Sequence, residues 1–126
     1  MGRFIKSLTY AFIGICITFK SERNFRIHII ALCLTVALGL FLGLSKSEWG
    51  LVILSIGFVL AAELFNTAVE RLGDEAAGGK QNQLIRNVKD ISAGAVLLSA
   101  LTAFIIGILF LLIPFVRRIL ELLRNC

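Results

Sequence analysis

The sequence predicts an all-α membrane protein: an N-terminal amphipathic surface helix followed by three transmembrane helices. Three observations carry that reading. The 126-residue chain is 58% hydrophobic, with a mean hydropathy of +0.92, more apolar than one small soluble core requires. Its apolar residues come in long uncharged blocks, with the charges gathered in short stretches between them. A single Pro and an ordinary 11 Gly exclude collagen-like and low-complexity classes. The chain reads as one domain over residues 1–126.

The first element, residues 2–20, places Phe4, Ile5, Leu8, Ala11, Phe12, Ile15, Cys16 and Phe19 on one face of a helix. Arg3, Lys6, Ser7, Tyr10 and Gly14 fall on the other, the pattern of a helix lying in the membrane interface. A signal peptide is the competing reading. The lack of an A-x-A-like site and the early Lys20 argue against it.

The first span covers about residues 27–45. Its core, 29–44, is uncharged, and His28 is the only polar interruption back to Ile27. Roughly 18 helical residues cover about 27 Å, close to the hydrocarbon thickness of a bilayer. His28 has no Cys or His at ligand spacing and reads as an interfacial or packing residue. The last span, about 90–114, lies in an uncharged run of 26 residues, 91–116, and a basic amphipathic tail follows over 115–126.

The middle span, about 49–72, is different. Its uncharged part, 49–62, is too short to cross alone, and the helical pattern continues through Glu63, Asn66 and Glu70 toward Asp74. At 100° per residue these four side chains share an arc of about 80°. Ionisable groups at the membrane boundary are costly unless paired or metal-bound, and adjacent carboxylates repel unless a cation lies between them. Oxygen-only ligands suit a hard ion such as Mg²⁺, which takes one or two carboxylates together with phosphate oxygens. Asp74 taken alone reads as the solvated end of a span.

The net charge of +5 does not point to nucleic acid, because the cations flank apolar runs. Nine Lys and Arg lie before the first span or in residues 71–90, against four on the opposite side. That asymmetry places the N-terminus and the second loop in the cytoplasm, where ATP is found. Cys16, Cys33 and Cys126 are far apart and lack metal-ligand or CxxC spacing, so neither a disulfide nor a metal is read from them.

Before the last span comes Lys89-Asp90. Lys89 is placed to meet a phosphate, and Asp90 to orient it or hold a metal through water, although Asp at a helix start also suits the helix dipole. Before the first span lies Lys20-Ser21-Glu22-Arg23-Asn24-Phe25-Arg26, the composition of a juxtamembrane anchor. Gly78-Gly79-Lys80 is followed by neither Ser nor Thr, so no Walker A loop is present, and no HRD or DFG set occurs.

The run Glu63-Leu-Phe-Asn66-Thr-Ala-Val-Glu70-Arg-Leu-Gly-Asp74, followed by Lys89-Asp90-Ile-Ser-Ala-Gly-Ala-Val-Leu, resembles the bacterial diacylglycerol kinase and undecaprenol kinase family. The resemblance extends from Arg3 to about Pro114. It implies a homotrimeric lipid kinase of the bacterial cytoplasmic membrane that moves the γ-phosphoryl group of ATP to a lipid hydroxyl. By the same resemblance Glu63 is the catalytic carboxylate, acting as general base, and Asn66 orients the acceptor. Glu70 and Glu22 are the implied Mg²⁺ ligands, and Arg3, Tyr10, Asp74, Lys89 and Asp90 the implied nucleotide contacts. The segment Glu22-Arg23-Asn24-Phe25 is more similar to the undecaprenol branch than to the diacylglycerol branch.

Two departures accompany the resemblance. The loop 75–88 lacks the acidic, aromatic and His residues frequent there in the family, which leaves it without an expected nucleotide contact. Many relatives also lack the basic tail after Pro114. Outside the kinase class, a small proton-coupled transporter would explain intramembrane acids but not Glu22, Lys89-Asp90 and the surface helix together. A holin-like pore former would not need aligned carboxylates. Ser92, Ala93, Gly94 and Ala95 permit close helix approach, as an assembly of small subunits would use.

Overall fold

The computed structural model describes residues 2–80 and 82–125, so Cys126, and Gln81 within the loop 75–88, lie outside the described residues. The elements are α1 (Gly2–Ser21), α2 (Arg23–Leu42), α3 (Lys46–Ala77), α4 (Gln83–Gly107), a π-helical turn (Ile108–Leu112) and α5 (Ile113–Arg124). All are helical, as the sequence predicts. By length and composition four segments are able to cross a membrane: α1, α2, α3 and the continuous helix Gln83–Arg124. Three of these are the expected spans. α1 meets the same criteria and is the least apolar of the four.

The breaks between helices each have a local cause. The chain turns at Glu22, where the Arg26 guanidinium donates to the carbonyls of Phe19 (3.1 Å) and Lys20 (3.0 Å). Those are carbonyls that the end of α1 would otherwise leave unpaired. α2 ends at Gly43, whose φ of 70° is left-handed and whose N–H bonds to the Gly39 carbonyl. α3 starts on a capping box: the Ser45 hydroxyl accepts from the Glu48 N–H, and the Ser45 N–H donates to the Glu48 carboxylate at 2.7 Å. The Ser45 contacts hold the Glu48 carboxyl below its usual range. Asn82 caps α4, its side-chain oxygen accepting from the Leu84 and Ile85 N–H groups.

The turn between α2 and α3 is locked by side-chain packing. A Cβ added at buried Gly39 would stand 2.9 Å from both Leu44 Cδ1 and Trp49 Cη2. Gly39→Ala is therefore expected to destabilise the fold by about 1–3 kcal/mol, the range for overpacking a filled site. Thermal unfolding in detergent measures this, and an unchanged melting temperature would show that Trp49 moves aside freely.

At Pro114 a continuous α-helix meets a residue that lacks an N–H and crowds the preceding turn. The helix does not stop there. It widens into the π-helical turn over Ile108–Leu112, with the Ile113 N–H bonding to the Ile108 carbonyl, and then resumes as α5. The base of α5 packs on the end of α2, with Phe115 edge-on to Phe41 (centroids 6.4 Å apart) and the Arg118 guanidinium 5.5 Å above the Phe41 ring.

α3 is the central helix, and its most extensive packing is against α4. Its buried residues are Val52, Ser55, Val59, Glu63 and Thr67, a stripe of three- and four-residue steps along one face. The stripe is largely apolar at its start and polar at its end. With 32 residues, α3 is about 48 Å long, more than the roughly 30 Å of a bilayer core.

Candidate active site

The arc of Glu63, Asn66, Glu70 and Asp74 continues the buried stripe of α3, so the helix that packs the core also aims these groups at the starts of α2 and α4. Glu63 is 2% exposed. From α2, His28 brings Nε2 to 3.1 Å from Glu63 Oε1, yet Oε1 has no aligned hydrogen bond among the described residues. The nearby hydroxyl of Thr67 donates to the Glu63 backbone carbonyl instead.

One helical turn further along α3, the Asn66 amide donates to Glu70 Oε1 at 3.0 Å, while its oxygen faces the Ser92 hydroxyl of α4 at 2.7 Å. Ser92 Oγ also lies 2.8 Å from the Lys89 carbonyl, so its one proton is shared between two acceptors. Asn66 is thus held on both sides, by Glu70 within its own helix and by Ser92 from the neighbouring one. Ser92→Ala is expected to lower turnover severalfold, equivalent to about 1 kcal/mol of hydrogen bonding. Steady-state kinetics check this, and unchanged turnover would mean that Glu70 alone fixes Asn66.

At the outer end, Lys89 Nζ meets Asp74 Oδ1 at 2.7 Å. Gly73 makes room for this pair, since a Cβ there would stand 3.1 Å from Ile85 Cγ2 and 3.5 Å from Lys89 Cδ. The hydrogen bond to Asp74 holds the Lys89 ammonium above its usual pKa; desolvation opposes it, and the negative charges of Asp74 and Glu70 add smaller support. An exposed pair of this kind contributes little to stability, so a more highly charged phosphate can displace Asp74 from Lys89 or share the ammonium with it.

Glu22 lies at the α1–α2 turn. Its Oε1 accepts from the Ser21 hydroxyl at 2.8 Å and stands 4.0 Å from Arg71 Nη2, which itself donates to Ser21 at 2.7 Å. Arg71 thereby ties the outer end of α3 to the junction of the first two helices.

The donor set fits a hard divalent cation. Glu22 and Glu70 each use only Oε1 in the contacts above, leaving a second carboxylate oxygen for a ligand. No group of three or more acidic, His or Cys side chains is already gathered as a cage among the described residues. Two carboxylates completed by phosphate oxygens and water is the habit of Mg²⁺.

Of the nine residues singled out from the sequence, the structure gathers six on the α1–α2 turn, α3 and α4: Glu22, Glu63, Asn66, Glu70, Asp74 and Lys89. Tyr10 borders a groove between α1 and the flank of α3, shared with Thr18, Leu64, Ala68 and Arg71. Arg3 is exposed near the far end of α1, about 27 Å of helix from Ser21, and is not brought to the cluster within this chain. Asp90 is exposed beside Lys89 and makes no ion pair among the described residues. His28, read as an interfacial or packing residue, in addition faces the buried carboxylate. Ser92 and Arg71 also join the cluster unanticipated in this role.

An apolar cavity of about 340 Å³ runs between α2, α3 and α4 and is lined by His28, Thr35, Val59, Ala103, Phe104 and Ile108, among others. At His28 it meets the polar cluster. The site thus has a greasy approach from one side and a charged, solvent-facing one from the other.

Comparison with known proteins matches the chain to bacterial lipid kinases. A family model described as prokaryotic diacylglycerol kinase matches residues 9–111. The undecaprenol kinase of Bacillus subtilis is 39% identical over 112 residues, covering 89% of this chain and 90% of its own. The diacylglycerol kinase of Haemophilus influenzae is 35% identical over 112 residues, covering 87% and 94%. That of Synechocystis is 36% identical over 108 residues, which span 86% of this chain but 62% of the longer relative.

Proposed function

The chain belongs to the prokaryotic diacylglycerol kinase family and is a lipid kinase; from that premise we propose that it transfers the γ-phosphoryl group of ATP to undecaprenol, giving undecaprenyl phosphate. The observation that carries the proposal is the position of Glu63. It is a buried carboxylate at the point where an apolar cavity ending at His28 meets a chain of polar groups leading to solvent. A lipid alcohol has the matching shape, an aliphatic tail with one hydroxyl at its end. The undecaprenol branch is favoured by the Glu22-Arg23-Asn24-Phe25 segment and by the similarity to the Bacillus subtilis enzyme.

In the proposed mechanism Glu63 accepts the proton of the lipid hydroxyl as its oxygen attacks the γ-phosphorus. The bond from that phosphorus to the bridging oxygen breaks, and ADP leaves. Asn66, held between Glu70 and Ser92, orients the acceptor. Lys89 offers its ammonium to the phosphates, and Arg3, Tyr10, Asp74 and Asp90 complete the proposed nucleotide contacts. Glu22 and Glu70 would hold Mg²⁺, which supplies charge neutralisation for the phosphate oxygens. Most of the acceleration in such a transfer comes from positioning and charge stabilisation, which suits a site assembled from rigid helix ends.

The proposed setting is the bacterial cytoplasmic membrane, with the N-terminus and the site on the cytoplasmic side and α1 lying along the surface. The asymmetry of nine cations against four supports this orientation, and the lower apolarity of α1 supports its interfacial place. A single kinase domain over residues 1–126 and a homotrimer complete the proposal. Apolar side chains exposed along every helix leave ample surface for lipid and for further copies.

Purified protein in lipid or detergent, supplied with radiolabelled ATP, Mg²⁺ and either undecaprenol or diacylglycerol, tests the substrate. Label in undecaprenol supports the proposal. Preferential label in diacylglycerol would move the chain to the other branch, and label in neither from folded protein would remove both substrates.

A further inference from the structure

We propose that His28 is a positioning residue for phosphoryl transfer, holding one oxygen of Glu63 so that the other faces the lipid hydroxyl. The inference rests on the reading of Glu63 as the group that takes the proton, and adds to it a residue on a different helix. Its basis is what surrounds the Glu63 carboxylate. The Asn66 amide is committed to Glu70, and the Thr67 hydroxyl to a backbone carbonyl. Among the described residues that leaves His28 Nε2, 3.1 Å from Oε1, as the donor within reach.

A buried carboxylate oxygen without an aligned donor is unusual, because the desolvation of such a group normally has to be compensated. Here the partner is present and only its angle is off. Hydrogen bonds that serve a reaction are often bent before substrate arrives and straighten in the loaded complex. A Glu side chain has several rotatable bonds, and one polar contact from a neighbouring helix gives it a preferred direction.

His28 also lines the apolar cavity, so it stands where a tail-bearing alcohol would come closest to Glu63. Once Nε2–H straightens onto Oε1 in the loaded complex, the second oxygen is left for the incoming hydroxyl. The imidazole is carried on α2, a rigid helix, and a support of that kind sets geometry more narrowly than a loop would. Misplacing a reacting group by about 1 Å costs on the order of 100-fold in rate.

The test compares His28→Leu, which deletes the donor, with His28→Gln, whose amide nitrogen can occupy the place of Nε2, and with Glu63→Gln. Full-length protein in lipid is assayed for kcat and for KM toward ATP and the lipid alcohol, with thermal unfolding of each variant alongside. The expected result is a fall in kcat of about 10- to 100-fold for His28→Leu at unchanged KM for ATP, largely recovered in His28→Gln. Wild-type kcat in His28→Leu, with Glu63→Gln inactive, would overturn the inference and leave the Glu63 reading intact. An equal loss in both His28 variants would also overturn it, by pointing to packing rather than donation. Wild-type turnover in Glu63→Gln would remove the Glu63 reading, and the role of His28 with it.

Discussion

Glu63→Gln is expected to lower the rate of lipid phosphorylation by about 10²- to 10⁴-fold, the range that a positioned general base supplies. The change keeps the shape of the side chain and removes its capacity to take a proton. Glu63 is buried, lies opposite His28 and sits a full turn inward from the Asn66–Glu70 pair. ATP affinity should therefore survive the substitution. Nucleotide binding measured beside turnover separates the two: unchanged binding with lost turnover supports the proton role, whereas lost binding would relocate Glu63 to the nucleotide site.

Glu70→Gln should have a comparably large effect with a different signature. Asn66 donates to Glu70 Oε1, and a Gln carbonyl oxygen can still accept that hydrogen bond, so the variant isolates the charge from the hydrogen-bond network. If Glu70 holds Mg²⁺ together with Glu22, the Mg²⁺ concentration for half-maximal activity should rise by at least about 100-fold, more than is usual for supporting residues around a metal. An unaltered Mg²⁺ dependence with reduced turnover would show that Glu70 acts only by holding Asn66.

The parts of the site carried by one helix were legible in the sequence. Glu63, Asn66, Glu70 and Asp74 fall on one arc from their spacing alone, and that arc starts from buried Glu63 and runs outward to exposed Asp74. The long uncharged runs likewise announced α2 and α4, because bilayer thickness imposes a length that short soluble helices do not reach. His28, Ser92 and Arg71 were harder to place. Each acts across a helix–helix contact, and periodicity within a segment says nothing about which residue of another segment stands opposite. For His28 a signal was present, a lone polar side chain at the edge of an apolar run, but its partner lies 35 positions further on. Ser92 was read as a small residue for close approach, and the same approach brings its hydroxyl to Asn66.

α1 shows how composition can be ambiguous where tertiary contacts are informative. Its apolarity is enough for a crossing helix, while its two-faced pattern and its cations suit an interface. The Arg26 bridge to the Phe19 and Lys20 carbonyls, and the Arg71–Ser21 hydrogen bond, fix where its end must sit, beside Glu22. Neither contact could be read from the local sequence.

The widened turn ahead of Pro114 divides the longest helix into two independently adjustable parts. An i to i+5 ladder accommodates more residues per turn than an α-helix, and each residue added or removed rotates everything beyond it by about 100°. Phe115 and Arg118 meet Phe41 only at the present phase. One insertion or deletion within Ile108–Leu112 would re-aim the whole tail, while Ser92 and Lys89, about 24 Å or more back along the helix, would keep their registers against α3. The tail can therefore diverge among related chains, or be rebuilt in the laboratory, with the polar cluster held in place, whereas Ile108 itself lines the apolar cavity and ties the turn to that side of the site.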